Sequence, residues 1–381
     1  MKNRVIGSSG HRRIFPVKRL GSDQITRSPD HPITRLFLIA LLALAAAPAS
    51  RSDISFPRDH GSHPDAPIEW WYYTGHLKDE AGREYGFQLT FFRVKEMHLA
   101  HFAWTDAASG AFHFEEKSHL ALPGIAEAAE GRLDVSNEDW SARASDGRHR
   151  LHAGGRDSAE LDLTLSATKP PVLNGPGGIS RKGGGENEYS HYVSITRLEA
   201  SGQLRRGQRR ASVTGTAWFD HEWGPGGLPR DVVGWDWFAL QLSDGSDLML
   251  YRMRSRDGRA TPFSAGTFVP ATGPPRPVTW REVNVTELAR WRSPRTKAIY
   301  PAGWRIAIPS LDLDAAVEPL LADQELVTEQ STAVTYWEGA CRVSGSRSGA
   351  PIGGRAYAEL TGYAGQGGLG ALRSKDSRHQ P

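Results

Sequence analysis

The chain has 381 residues with 46 Lys/Arg against 43 Asp/Glu, 39 % hydrophobic residues, 12 Trp and one Cys. Residues 1–50 take eight of those bases and two of the acids, so the remainder holds 38 basic and 41 acidic side chains of mixed sign, which speaks against a basic nucleic-acid surface. The lone Cys341 excludes an intrachain disulfide and a multi-cysteine zinc site, and its strand-like setting reads as a small buried hydrophobe.

Taken from the N-terminus, a basic stretch runs to Arg35 and is followed by the apolar Leu36-Phe37-Leu38-Ile39-Ala40-Leu41-Leu42-Ala43-Leu44. Ala47-Pro48-Ala49 then offers small-x-small cleavage chemistry. Residues 1–49 are therefore expected to be a secretory signal, and the protein exported, periplasmic or secreted. The apolar run is too short and Ala-rich for a span, so no integral membrane segment is expected in the mature chain. Beyond it, period-2 alternation recurs and helical periodicity does not. Tyr85, Phe87, Leu89 and Phe91 alternate with Gly86, Gln88 and Thr90, and Leu161, Leu163 and Leu165 with Asp162 and Thr164. Asp146-Gly147, Asp244-Gly245 and Asp257-Gly258 sit where hairpins need turns. The expectation is an all-β protein of sandwich or barrel type, with at most one helical turn at residues 126–130.

The chain also repeats itself. Trp70, Tyr72, Tyr73 and Leu77 fall in constant register with Trp235, Trp237, Phe238 and Leu242, and Gly215–Asp220 rhymes with Gly354–Glu359. Two matches in the right order imply duplicated halves, a domain over 55–227 and a second over 228–365. Residues 366–381 read as a flexible tail. The Gly-rich stretch from Gly175 to Gly185, with Arg181 and Lys182, reads as an exposed loop.

Trp218-Phe219-Asp220-His221-Glu222-Trp223 sets two carboxylates and an imidazole among large aromatics, and the theme recurs in Glu69-Trp70-Trp71-Tyr72, Trp235-Asp236-Trp237 and Tyr336-Trp337-Glu338. Acids beside indoles are either paired structurally or used. Where a strand face carrying such an acid lines a cavity, desolvation raises the carboxyl pKa toward what a general acid needs near neutrality. Strand parity puts Trp235 and Trp237 on one face and Asp236 on the other. His60-x-x-His63 with Asp59 and Asp65, joined by His221, has loop-like ligand spacing, yet no HExxH, cysteine pair or EF-hand loop accompanies it, so no metal is expected. G-x-S-x-G and phosphate-loop signatures are absent from the sequence, and no cofactor is expected.

His63-Pro64-Asp65, Glu69-Trp70-Trp71-Tyr72-Tyr73-Thr74-Gly75, Phe87–Arg93, Trp218–Trp223, Gly234–Trp237, Asp323–Leu326, Tyr336–Gly339 and Glu359–Tyr363 together resemble the AttH-like proteins, often labelled predicted secreted hydrolases and related to hydroxyneurosporene synthase, the carotenoid 1,2-hydratase. The resemblance implies a tandem of two lipocalin-like (calycin) antiparallel barrels. It also implies a long apolar ligand in an aromatic cavity, where an acid protonates an alkene and aromatic faces stabilise the cation. One departure is Arg252-Met253-Arg254, where an acid would follow the Tyr251 position. Asp220, His221 and Glu222 are the catalytic candidates. Glu69, Trp70, Trp71, Tyr72, Trp218, Trp223, Trp235, Asp236, Trp237, Tyr251, Tyr336 and Glu338 are expected to line the ligand site, inside the barrels. The function expected is an exported enzyme acting by acid–base chemistry on an isoprenoid- or lipid-like molecule, as hydratase, isomerase or hydrolase. The alternative is a carrier of such a ligand.

Overall fold

The computed structural model describes residues 54–155 and 159–365. The expected signal segment and C-terminal tail lie outside the described residues. The architecture is two antiparallel sheets, one of 13 strands from Ile68 to Gly224 and one of 10 strands from Val232 to Thr361, with a small two-stranded ribbon beside the second. The first closes almost fully into a barrel and the second makes a half-barrel, a tandem of lipocalin-like units. Among the described residues no helix is long and apolar enough to cross a membrane. Residues 126–130, expected as a helical turn, instead supply the short strand Ala126–Ala128, paired with Val135–Asn137.

Each sheet is wound the same way. Its first strand pairs on one side with its second and on the other with its last: Ile68–Asp79 lies between Glu84–Val94 and Arg209–Gly224. Val232–Leu242 lies likewise between Asp247–Ser255 and Ala350–Thr361. The register match between Trp70 and Trp235 read from the sequence thus marks equivalent central strands.

Central strands that are covered on both faces are buried along nearly their whole length rather than alternately. Ile68–Asp79 shows this directly. Trp71, Tyr73 and Leu77 enter the core of the first barrel with Phe87, Phe102, Trp140 and Phe219. Tyr72 points the other way, into a cluster shared with Tyr192 and Trp218 of the first sheet and Trp237, Met249 and Tyr251 of the second. Phe238, Trp304, Trp337 and Cys341 fill the second sheet's own concave face. Both barrel interiors are solidly packed. The expectation of a hollow barrel is therefore corrected: the open space lies between the two sheets.

The seam is tight. A Cβ on Gly86 would come within 2.4 Å of the Ala340 Cβ, so the strands 84–94 and 335–347 approach as closely as they do only because position 86 has no side chain. Tyr72 and Trp237 meet edge to face at 5.3 Å, and Trp218 and Trp237 at 6.2 Å, contacts worth about 0.5–1.5 kcal/mol each beyond burial. Polar bonds cross as well: His76 Nε2 lies 2.8 Å from the Ala356 carbonyl, Gln241 donates to the Thr196 and Ala217 carbonyls, and Arg197 pairs with buried Asp247 at 2.6 Å.

Candidate active site

The chamber between the sheets is lined from one side by Trp70, Tyr72, Phe92, Tyr192, Asp220 and Glu222, and from the other by Trp235, Trp237, Tyr251, Tyr336, Glu338 and Glu359. The chamber itself measures about 140 Å³, and about 1200 Å³ is free of atoms once the open solvent at its mouth is included. The strand period of two decides which residues reach it. On Arg209–Gly224 the even positions 218, 220 and 222 turn toward the seam, with 220 and 222 lining the chamber, and Phe219, His221 and Trp223 face the first barrel. Tyr72 stands directly across from Asp220 in register, and Trp237 across from Glu359.

Asp220 is fully desolvated yet well supplied with donors. Tyr192 Oη donates at 2.6 Å, Ser194 Oγ at 2.5 Å and Trp218 Nε1 at 2.7 Å. Burial raises its pKa, the three donors oppose that, and the neighbouring Glu222 charge adds to the rise, leaving the carboxyl at about 7. Tyr192 in turn accepts from Trp237 Nε1 at 2.9 Å, so a residue of the second sheet helps orient the donor. Glu222 is held by Ser190 Oγ and by the Lys182 ammonium at 2.9 Å. Burial alone would lower Lys182, but the Glu222 charge beside it holds the ammonium above its ordinary value. Lys182 also lies over the Tyr251 and Tyr192 rings, at 4.5 and 5.2 Å.

The second sheet adds two carboxyls opposite each other, Glu338 and Glu359. Glu338 is buried and Glu359 half-buried, and ionising both of two adjacent carboxyls with so little water is disfavoured. Burial and then the Glu359 charge push Glu338 far up. Burial raises Glu359 to about 7, against the Trp235 indole and with the charges of Glu222 and Asp220. The Tyr72 hydroxyl neighbours Glu338 without completing a hydrogen bond of good geometry, and it, Glu338 Oε1 and the Tyr357 hydroxyl are buried without partners. Unpaired polar atoms in an aromatic wall favour a ligand that brings its own polar group or water.

Several expected site residues face elsewhere. Glu69, Trp71, His221 and Trp223 lie on the far face of the same two strands, turned to the first barrel, because odd positions there point away from the seam. Asp236 faces the second sheet's interior side, where Arg252 and Arg254 hold its two oxygens, the latter at 2.9 Å; Tyr363 donates at 3.0 Å. It is a buried structural ion cluster, and the Arg252-x-Arg254 departure is its counterpart. Trp218 reaches the site through its hydrogen bond to Asp220 rather than by lining the cavity. Glu359, Lys182, Ser190, Tyr192 and Ser194 were not anticipated. Glu359 had a signal, being the repeat partner of Asp220. Lys182 did not: the stretch read as an exposed loop instead forms Ile179–Arg181, pairs with Tyr189–His191, and delivers Lys182 to the chamber.

A family model described as AttH-like matches residues 47–363, so the chain belongs to the AttH-like family. The solved structure of a candidate AttH from Nitrosomonas europaea is 36 % identical and superposes with a TM-score of 0.76, over 84 % of this chain and all of that one. Kievitone hydratase from Nectria haematococca, 18 % identical over 82 % of this chain and 94 % of its own, shares the fold with a TM-score of 0.67. The dehydratase asqC of Emericella nidulans is 26 % identical over 216 residues, 54 % of this chain and 56 % of the dehydratase, so the match spans about half of that relative.

Proposed function

We propose that this chain is an enzyme that moves protons on an apolar small molecule held between the two sheets, adding or removing water or shifting a double bond. The observation that carries the reading is the chamber itself, with four carboxyl groups facing into an aromatic enclosure and one of them, Asp220, poised at about 7. Hydration and its reverse need one group that gives a proton and one that takes one. Asp220 is half protonated at neutral pH and can do either. The Glu338–Glu359 pair retains one proton between two sites, so it offers an acid and a base together. Indole and phenol faces of Trp70, Tyr72, Trp235 and Trp237 suit a developing carbocation, and Lys182 with Ser190 provides a polar end beside Glu222. The kinship with a dehydratase and the shared fold of a hydratase support this class of reaction. An isoprenoid- or lipid-like substrate fits the lining, and the N-terminal segment supports export to the periplasm or beyond. Sequencing the N-terminus of the exported protein checks the location: a start just after Ala49 is expected, and an intact Met1 in the exported protein overturns it.

The activity test pairs turnover with binding. The enzyme is incubated with a panel of isoprenoid alkenes and alcohols, and products are read by mass spectrometry for gain or loss of one water. In Asp220→Asn combined with Glu222→Gln, turnover should collapse while quenching of tryptophan fluorescence by a polyene alcohol persists. Unchanged turnover, or early melting with loss of both signals, sinks the reading. Wild-type binding without turnover on any of the panel would make the chamber a carrier site.

A further inference from the structure

On the rear face of the strands that carry Asp220 and Glu222, three side chains from separate segments converge. Glu69 comes from Ile68–Asp79, His221 from Arg209–Gly224, and His63 from the preceding loop. His63 Nδ1 lies 2.7 Å and His221 Nε2 3.0 Å from the same oxygen, Glu69 Oε1. The other carboxylate oxygen is already occupied: Ser62 Oγ donates to Glu69 Oε2 at 3.1 Å, the His63 backbone N–H at 3.0 Å and Arg93 Nη2 at 3.0 Å. Oε1 takes only a second, longer contact of 3.1 Å from that His63 N–H besides the two imidazoles.

What each ring does with its second nitrogen decides the matter. His221 Nδ1 lies 3.1 Å from the Asp59 carbonyl oxygen, and His63 Nε2 lies 3.5 Å from the Asp59 carboxylate. The carbonyl calls for an N–H from His221, whereas the 3.5 Å His63 contact is too long to fix that ring's proton. A neutral imidazole has one N–H, so with that proton on the Asp59 carbonyl His221 turns a bare lone pair on an anionic oxygen. A positive centre among the three atoms relieves that contact. Charging His221 is opposed by its surroundings, since it is buried against Trp71 at 5.0 Å and Trp223 at 4.6 Å. A divalent cation satisfies all three atoms at once and leaves His221 with the outer oxygen contact that ligating histidines show.

We propose that His63, His221 and Glu69 bind a divalent transition-metal ion, zinc before others. The three donor atoms lie within 4.8 Å of one another. Tetrahedral zinc with bonds of about 2.0–2.1 Å spaces its ligands about 3.3 Å apart, so Glu69 Oε1 withdraws from His63 Nδ1 by roughly half an ångström and the His63 loop adjusts the spacing of the two imidazoles. Two imidazoles and one carboxylate favour zinc over calcium or magnesium. His63 is the most exposed of the three, so a fourth ligand such as water would reach the ion from its side. Arg93 and Arg58 are the cations nearby, on Glu69 Oε2 and on Asp59 respectively, and the Asp59 carboxylate offsets part of their charge. The ion ties the loop before Ile68 to both strands, and because His221 stands between Asp220 and Glu222 it pins the back of the strand whose front bears those acids.

The test is independent of any substrate. Untagged full-length protein from zinc-supplemented cells is analysed for metal, then stripped with EDTA and titrated with cobalt(II) and zinc. About one metal per chain is expected, with the intense visible bands of four-coordinate cobalt and a zinc-dependent rise in Tm. His63→Ala, the change at the most exposed of the three ligands, should abolish the bands and weaken zinc by more than the roughly 100-fold that outer contacts can cost. A wild-type protein that retains no metal, gives no cobalt bands and melts the same with zinc overturns the proposal, whatever the variant does. So does a folded His63→Ala that binds zinc as tightly as wild type.

Discussion

The two sheets present acids to one chamber at equivalent register, and they condition those acids with different surroundings. Asp220 of the first sheet is surrounded by donors, Tyr192, Ser194 and Trp218. Glu359, its repeat counterpart on the second sheet, faces another carboxyl, Glu338, with the Trp235 indole as its polar neighbour. Both come to about 7. Burial drives both up: three hydrogen bonds and one neighbouring charge act on the first, one indole and two neighbouring charges on the second. The equivalent winding of the two sheets supplies the position, and the surroundings on each side set its chemistry separately.

The comparison can be broken at its strongest point first. Asp220→Asn should lower turnover by about 10²–10⁴-fold, the usual worth of a positioned acid or base, measured as kcat on whichever substrate the panel yields. An effect confined to KM would mean that Asp220 only binds. Next in size is Asp236→Asn, on the face turned from the chamber. Leaving Arg252 and Arg254 without their anion should cost about 3 kcal/mol in denaturant unfolding while the remaining folded protein keeps its activity. Tyr192→Phe removes one donor from the Asp220 carboxylate and should move the corresponding limb of the pH–rate profile upward by about one unit, with little change in Tm.

The smallest effect separates the two sheets by stability. Glu359 titrates higher in the folded chain than in the unfolded one, so the native state binds more protons from about 4.5 up to about 7. Stability therefore falls as pH rises through that window, and the whole loss is present above it. Glu359→Gln should melt higher than wild type at pH 8 by at least about 1 kcal/mol and converge with it near pH 4. A difference that does not change with pH would mean the carboxyl is solvated.

Much of this was legible in the residues, and the rest failed for identifiable reasons. Alternation and turn dipeptides gave the all-β class, and the Trp70–Trp235 register gave the shared winding of the sheets. Parity separated Asp236 from Trp235 and Trp237. It could not say which face was core and which was cavity, since Ile68–Asp79 and Arg209–Gly224 are buried on both sides, so His221 and Asp220 looked like parts of one site. Asp236 imitated Asp220 in its aromatic flanks; only the cross-strand register brings Arg252 to it. Lys182 sits in a Gly-rich stretch whose path depends on long-range pairing, and no local pattern marks it. Glu359 was readable from the repeat, had the rhyme with Asp220 been followed to its last residue.

The bond from Trp237 through Tyr192 to Asp220 crosses from one sheet to the other. The proton affinity of that acid is therefore shared property, dependent on the sheets being shut. Parting them to admit a guest would let solvent reach the carboxyl, lower its pKa toward the ordinary aspartate range and ionise it. The enzyme would then be armed by closure and safe when ajar, a coupling that the infrared carbonyl band of protonated Asp220, present in the closed state and lost in the open one, would report.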